Sequence, residues 1–360
     1  MGDKVQVAVI GAGWWGCEAH LPSLRDHPRA EIAAVQSRTR EKAEKIAASF
    51  EAKHACETVD EVLAIERLDA AIISSTPNVH YEQARAALER GLHVLIEKPM
   101  TLTLAEAREI VDLARAKGLH FVISCPWHYT PHAAEARRLI GSGAIGDIKM
   151  ISVLMTNFCE GLYRAKSWKE IFGDSPTLQN TPDPYRQPGR QSYSDPVVSG
   201  GGQIYCQVAH AAAYVGLLSG SDPVEVFARF ENAGAPVDLY DALNIKLANG
   251  AIVSLASTGS TMETERNYEV RVYGTEGMIL LELWKGTMAH HDRLGNVNEA
   301  PVLDAAEIYP MFGPAKNLVD VITGDAENLS PADLGLYSMK IIEAACRSAS
   351  TSENVLIENL

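Results

Sequence analysis

No stretch of this 360-residue chain is apolar for long enough to cross a bilayer; its longest runs have the length of a strand or short helix, well under the ~20 residues that a spanning helix needs. Lys/Arg runs are missing too. With 32 basic against 46 acidic side chains the net charge is −14, a field that repels phosphate backbones and anionic lipid. Nucleic acid and membrane surfaces are therefore not expected as partners. Cysteine is sparse and scattered, at positions 17, 56, 125, 159, 206 and 346, with no Cys-x-x-Cys pair. Neither a metal site nor a disulfide framework is indicated, and reduced, mostly buried thiols are expected. The early apolar residues Val5, Val7, Val9 and Ile10 run into Gly11, Gly13 and Gly16, which suits a strand and turn better than a secretory leader. Gln6 stands where a myristoylation motif wants Ser or Thr, so a cytoplasmic enzyme is expected.

What the chain does hold is a large core: 46% of its residues are hydrophobic and 22% charged, at a length that suggests two domains. Residues 1–121 alternate short apolar runs (Val5–Ile10, Ile32–Val35, Ala70–Ser74, Val94–Ile96, Phe121–Ile123) with helical patterns (Arg40–Phe50, Tyr81–Arg90, Thr103–Ala116). That alternation predicts a parallel α/β domain. In residues 122–360 the runs are longer and more β-like (Lys149–Met155, Val224–Phe230, Ala242–Ser257, Tyr268–Tyr273, Met278–Leu283) with little helix between them, which predicts a mainly antiparallel sheet. Residues 159–199 form a long window with Pro176, Pro182, Pro184, Pro188 and Pro196. Tyr163, Trp168, Tyr185 and Tyr193 make it too aromatic for a linker, and a substrate-covering loop is expected. Ser330-Pro331-Ala332-Asp333 reads as the start of a closing amphipathic helix.

Four motifs carry chemistry. Gly11-Ala12-Gly13-Trp14-Trp15-Gly16 follows the first strand as a G-x-G-x-x-G. Gly11 permits the tight turn, Gly13 lets backbone approach a pyrophosphate, and Gly16 allows close packing of the next helix, whose N-terminus faces the anion. Trp14 and Trp15 belong to the same dinucleotide turn. After the second strand, Val35-Gln36-Ser37-Arg38-Thr39 offers no acid to repel a 2′-phosphate, while Ser37 and Arg38 are placed to bind one. NADP is thus favoured over NAD; the alternative is a solvated Arg38 with NAD bound.

Glu97-Lys98-Pro99 follows the run Val94–Ile96, which aims Lys98 at the crevice outside the strand ends. Pro99 tolerates a cis peptide and fixes a sharp turn, and burial beside a positive nicotinamide would bring the lysine towards proton transfer. The alternative is a surface pair of Glu97 with Lys98. Lastly, if a helix starts after Gly200-Gly201-Gly202, then Gln203, Cys206, Gln207 and His210 share one polar face flanked by Ile204, Val208, Ala209 and Ala211. That face is expected to look into a cavity, with His210 suited to take a hydroxyl proton; the alternative is a buried structural histidine.

The glycine turn, Thr76-Pro77-Asn78 with His80, Glu97-Lys98-Pro99, the triple glycine with His210, and Arg347-Ser348-Ala349 together resemble the glucose-fructose oxidoreductase / inositol dehydrogenase / rhizopine catabolism (Gfo/Idh/MocA) family across essentially the whole chain. The resemblance implies an α/β fold: an N-terminal doubly wound Rossmann domain and a C-terminal α/β domain whose large, mainly antiparallel open sheet makes homodimer or homotetramer contacts. It implies that Lys98 and His210 work beside the nicotinamide and that Thr76, Pro77, Asn78, His80 and Glu97 line the cofactor cleft. The implied activity is hydride transfer between NADP or NAD and a secondary carbinol of a sugar, cyclitol or related molecule. His128, in Pro126-Trp127-His128-Tyr129, is implied as a substrate contact or as packing, alongside Tyr193, Cys206 and Gln207.

One position departs from the family pattern. Cys206 stands where an aspartate commonly precedes the histidine by four residues, which removes a partner that would orient His210 and raise its pKa. Either Lys98 and His210 suffice, or Gln207 or Tyr193 orients the imidazole, or ordinary dehydrogenase activity has been lost. A redox-assisted glycosidase that uses the cofactor transiently, and a non-catalytic sensor of nucleotide and sugar, are the other functions the pattern admits.

Overall fold

Strands covered by helices on both faces need unbroken apolar runs, and the N-terminal part of the chain supplies them. The computed structural model describes residues 4–172 and 187–360, which group into two compact units. Tyr185 and the prolines 176, 182 and 184 of the expected loop lie outside the described residues.

The first unit comprises Met1–Cys125, Ser167–Ser192 and Met311–Leu336. Its sheet holds β1 (Val5–Ile10), β2 (Ala30–Gln36), β3 (His54–Cys56), β4 (Ala70–Ile73), β5 (His93–Ile96) and β6 (Phe121–Ile123) in the order β3-β2-β1-β4-β5-β6, all parallel. The strand order reverses between β1 and β4, and in such sheets ligands gather outside the carboxyl ends at that switch point. Helix starts follow local chemistry: the Thr39 hydroxyl accepts the Lys42 N–H at the head of Arg40–Phe50, and Thr103 with Glu106 forms a reciprocal capping box ahead of Leu104–Ala116. A segment remote in sequence completes this core. Ala315, Leu318 and Val319 of the helix Gly313–Ile322 are fully buried together with Val7, Leu21 and Ile32.

The second unit comprises Pro126–Lys166, Tyr193–Pro310 and Tyr337–Leu360. Its nine strands are β7 (Ile148–Thr156), β8 (Pro223–Glu231), β9 (Tyr240–Leu247), β10 (Ile252–Thr258), β11 (Asn267–Gly274), β12 (Gly277–Glu282), β13 (Thr287–Asp292), β14 (Val297–Glu299) and β15 (Val355–Leu356). They run in the order β14-β13-β12-β11-β7-β10-β9-β8-β15, antiparallel throughout except for the parallel pair β7–β10. Burial alternates strictly along β9 and β10, so one face is covered and the other open.

Two local readings of the sequence are corrected. The run Ala242–Ser257 is a hairpin, not one strand: it turns at Asn249-Gly250, where Gly250 takes φ +84° and its N–H returns to the Leu247 carbonyl. The closing helix runs Ala332–Thr351, and the Ser330 hydroxyl, read as its cap, donates to the Ile123 carbonyl of β6 at 2.7 Å. Among the described residues no helix is long and apolar enough to cross a membrane.

Candidate active site

The first unit gathers its chemistry at three strand ends. After β1, Gly11 adopts φ +74°, and a Cβ on it would stand 2.4 Å from the Ser75 Cα, so only glycine fits where the β1 and β4 loops meet. Gly13 is the opposite case: a Cβ there meets nothing nearer than the Gly11 carbonyl oxygen at 3.7 Å, so the space over its backbone is open to a ligand. Gly16 sits at ordinary contact distance from Ser74 and Val9. The turn is held from β2, because Gln36 Oε1 accepts the Gly11 N–H at 2.9 Å and the Gln36 carbonyl accepts the Ala12 N–H at 2.8 Å. A closed loop over a pyrophosphate needs a positive-φ glycine beside backbone left bare, and this turn has both.

Past Gly16 the helix widens for one turn, with the Leu21 N–H bonding back to the Gly16 carbonyl. Such wide turns recur at functional sites. This one brings His20 Nε2 to 2.8 Å from Glu97 Oε1, both side chains being buried. Burial opposes charge on Glu97, but the hydrogen bond and charge of His20, with the nearby Lys98, outweigh it and hold the carboxyl below its ordinary range. Glu97 is thus an internal anchor and not half of a surface pair. Lys98 follows it, half-buried, with a cis peptide to Pro99.

His80 braces the same loops. It is fully buried, with Nδ1 2.9 Å from the Pro99 carbonyl oxygen and Nε2 3.1 Å from that of Ser75. Burial pushes its pKa below the ordinary histidine value, against the pull of those carbonyls. Thr76 and Pro77 stay half-buried and Asn78 exposed at the head of the next helix. Trp14 meets Trp15 edge to face at 5.9 Å and Trp168 at 5.0 Å, so the aromatic window 159–199 reaches the glycine turn through Trp168.

After β2, Ser37 is buried and its N–H bonds the Cys56 carbonyl, whereas Arg38 is exposed. Sequence reading missed Lys42, one helical turn on. Burial, then the charge of Arg38, lowers its pKa, which marks the two cations as neighbours. Among the described residues neither has a carboxylate partner. His20 and Gln36 were missed as well; the signal available was the need of a buried Glu97 and of a tight Gly11 turn for polar partners.

In the second unit the polar stripe after the triple glycine bends at Gln207, between the short turn Gln203–Cys206 and the helix Val208–Ser219. Gln203 is fully buried and its amide joins the Tyr163 hydroxyl at 2.8 Å to that of Ser257 at 2.7 Å. Cys206 clusters with Cys159, Tyr163, Val237 and Leu239, with Tyr193 packed against them. Gln207 directs its amide at the sulfurs of Cys206 (3.5 Å) and Cys159 (3.8 Å). His210 is buried, its ring meeting Trp127 edge to face at 5.3 Å. His128 lies in the core beside Tyr214, and burial with the nearby Arg137 pushes its pKa down to about 3, so it is neutral at physiological pH. No group of three or more His, Cys, Asp or Glu side chains among the described residues is placed to hold a metal.

Comparison with known proteins agrees with this geometry. Residues 5–124 match the oxidoreductase family with an NAD-binding Rossmann fold (GFO_IDH_MocA), and residues 173–280 match the GFO/IDH/MocA C-terminal domain. An uncharacterised oxidoreductase of Synechocystis is 35% identical over 42% of this chain and 40% of its own length. The chain aligns with less than half the length of the first such curated relatives. The D-xylose 1-dehydrogenase [NADP(+)] of Haloarcula marismortui aligns over 99% of this chain and 94% of its own at 24% identity. Levoglucosan dehydrogenase, solved in complex with NADH and levoglucosan, shares the fold with a TM-score of 0.82, covering 99% of this chain and 100% of that one at 18% identity.

Proposed function

Because this chain belongs to the Gfo/Idh/MocA oxidoreductase family, we propose that it binds NADP in its first unit and moves a hydride between the nicotinamide and a secondary carbinol of a sugar, cyclitol or sugar derivative. The observation that carries the reading is the β1 turn, in which Gly11 closes against Ser75 while Gly13 is left bare for a pyrophosphate. Trp14, Trp15, Gly16 and the Thr76–Asn78 segment complete that cofactor surface in this reading. NADP is favoured over NAD because Arg38 and Lys42 stand together behind Ser37 with no carboxylate partner among the described residues, and a 2′-phosphate would give both a partner. The Haloarcula relative is named for NADP, whereas the levoglucosan enzyme was solved with NADH.

The bound cofactor supplies the hydride acceptor or donor; the protein supplies position and a path for the hydroxyl proton. We assign that proton to Lys98, fixed by the Glu97–His20 anchor, and to His210, seated against Trp127. Tyr193, Cys206 and Gln207 are substrate neighbours in this reading, and the six thiols, none of them in a disulfide, suit a reducing cytoplasm. A second copy of the chain is placed on the open face of the C-terminal sheet. The test is a screen of sugars, cyclitols and sugar acids with NADP and NAD, following nicotinamide absorbance, with K98A in parallel. K98A is expected to lose turnover by about a hundredfold or more, the scale of general acid–base catalysis, while still binding cofactor. A K98A enzyme with normal turnover would remove Lys98 from the chemistry.

A further inference from the structure

From the ring of His210, a row of aromatic side chains extends through the second unit without any part in moving the hydroxyl proton. Trp127 lies 5.3 Å from His210 between ring centroids, Trp284 lies 5.1 Å from Trp127, and Trp284 stacks on Tyr309. The Arg266 guanidinium sits 4.3 Å over the Trp284 ring and 5.6 Å from that of Phe158. Arg266, Trp284 and Phe158 are all half-buried.

Among the described residues Arg266 makes no hydrogen bond and no ion pair, although Glu263 and Glu265 flank it in a chain of net charge −14. The rings hold the cation by its face. Its planar edge, with five N–H donors, is left uncommitted, and that edge matches a carboxylate in a two-pronged fork. No nitrogen of Arg266 is among the buried side-chain atoms left without a partner, so the edge is within reach of solvent and an oxyanion can come to it without opening the core.

We propose that Arg266 determines substrate specificity by binding an oxyanion, best a carboxylate, carried by the sugar-like substrate away from the carbinol that reacts. This rests on the oxidoreductase reading above, in which His210 stands at the reacting carbon. A sugar acid bound beside this row would place its carboxylate at the edge of the guanidinium, next to the half-buried Trp284 and Tyr309. A neutral sugar would leave the arginine unmatched. Sugar acids are therefore the substrate class, with a phosphate ester as the other source of the same oxyanion chemistry.

The experiment is calorimetric titration of the cofactor-loaded enzyme with D-glucuronate, D-galacturonate, D-gluconate, D-glucose 6-phosphate and the parent neutral sugars, repeated on R266A and R266K. At least one anion is expected to bind about tenfold or more tightly than its neutral parent; R266A brings that ratio close to one, and R266K restores part of it. A stronger response to the phosphate ester than to the carboxylates identifies the ester as the oxyanion source. Equal binding of acids and neutral sugars, or a preference that survives in R266A, overturns the role of Arg266 while leaving the oxidoreductase reading intact. Failure to bind either nicotinamide nucleotide would instead remove that underlying reading.

Discussion

Burial, then the neighbouring Arg38, raises the cost of charge on Lys42, and no carboxylate among the described residues offsets it. A 2′-phosphate placed between them would reverse that cost. R38A and K42A are each expected to weaken NADPH by about tenfold and to leave NADH nearly unchanged, with the NADPH effect shrinking at high salt as the charges are screened. Titration of nucleotide fluorescence at two ionic strengths measures this, and equal weakening of both nucleotides would show that the pair does not read the phosphate. Asp241 presents the reverse problem, an acid among acids. It is buried, and no donor among the described residues reaches either oxygen, so it meets the Asp238 carboxyl only by giving it a proton. Asp238 in turn accepts the N–H groups of Gly202 at 2.8 Å and Ile204 at 2.7 Å and so clamps the turn after the triple glycine. Burial, then the charge and hydrogen bond of Asp238, push Asp241 well above the ordinary carboxylate range. A raised folded pKa contributes stability that is full below the unfolded value, about pH 4, and is lost as pH rises through the folded value. D241N keeps a donor and cannot ionise, so at neutral pH it should melt a few degrees higher than the parent, with the gap closing near pH 4. One kcal/mol is worth roughly 2–4 °C in a domain of 150–250 residues. Thermal melts from pH 4 to 8 decide it, and a gap independent of pH would show that Asp241 is ionised in the fold.

The β1 turn separates two demands that its glycines meet. G11A meets a positive φ and a contact of 2.4 Å with Ser75 backbone, so it is expected to destabilise the first unit by at least about 1–2 kcal/mol and to lose nucleotide binding with it. G13A has room for its methyl, so its melting temperature should match the parent while NADPH binding falls about tenfold or more. If G13A bound nucleotide normally, the pyrophosphate would have to lie elsewhere. This turn was legible in the sequence because glycine pattern and strand are contiguous, as were Glu97-Lys98-Pro99 and most strands, whose signals are local. What could not be read depends on segments far apart in the chain. His20 reaches Glu97 across 77 positions through a widened turn that leaves no spacing signature. The helix Gly313–Ile322 finishes a core begun at Val5, and Ser330 resembles a cap until β6 offers its hydroxyl an acceptor. The hairpin β9–β10 was read as one strand because Asn249-Gly250 is a minimal break in a long alternating run. The stripe from Gln203 to His210 was read as one polar helical face, but it bends at Gln207, and its amides are used in contacts with Tyr163, Ser257, the sulfur of Cys159 and that of the adjacent Cys206.

At the scale of the whole molecule, two copies that each carry −14 repel one another, so any stable association must rest on apolar surface. The open face of the C-terminal sheet holds such surface. Leu154 of β7, Ile252 of β10 and Tyr240 of β9 are 39%, 55% and 40% exposed and share that face by register, since Ala256 pairs with both Leu154 and Ala242, and Thr258 with Tyr240. Between them the face is filled by small or uncharged residues, Ala242, Asn244, Ser254 and Ala256, with Lys246 at one end. Flanked by Arg229 of β8 and by Glu269 and Arg271 of β11, this central strip suits a copy of itself, because a two-fold axis sets the same apolar strip against its counterpart. The chain is therefore expected to sediment as a dimer or tetramer at micromolar concentration and to associate more tightly at higher salt, where the like charges are screened. I252E places a carboxylate on each side of the axis and should raise the dissociation constant by about tenfold or more without lowering the melting temperature of the isolated subunit, because the side chain points away from the core. Sedimentation equilibrium of the parent and I252E at two salt concentrations tests all three statements. A monomeric parent, or a variant that associates as the parent does, would show that this face is not where the copies meet.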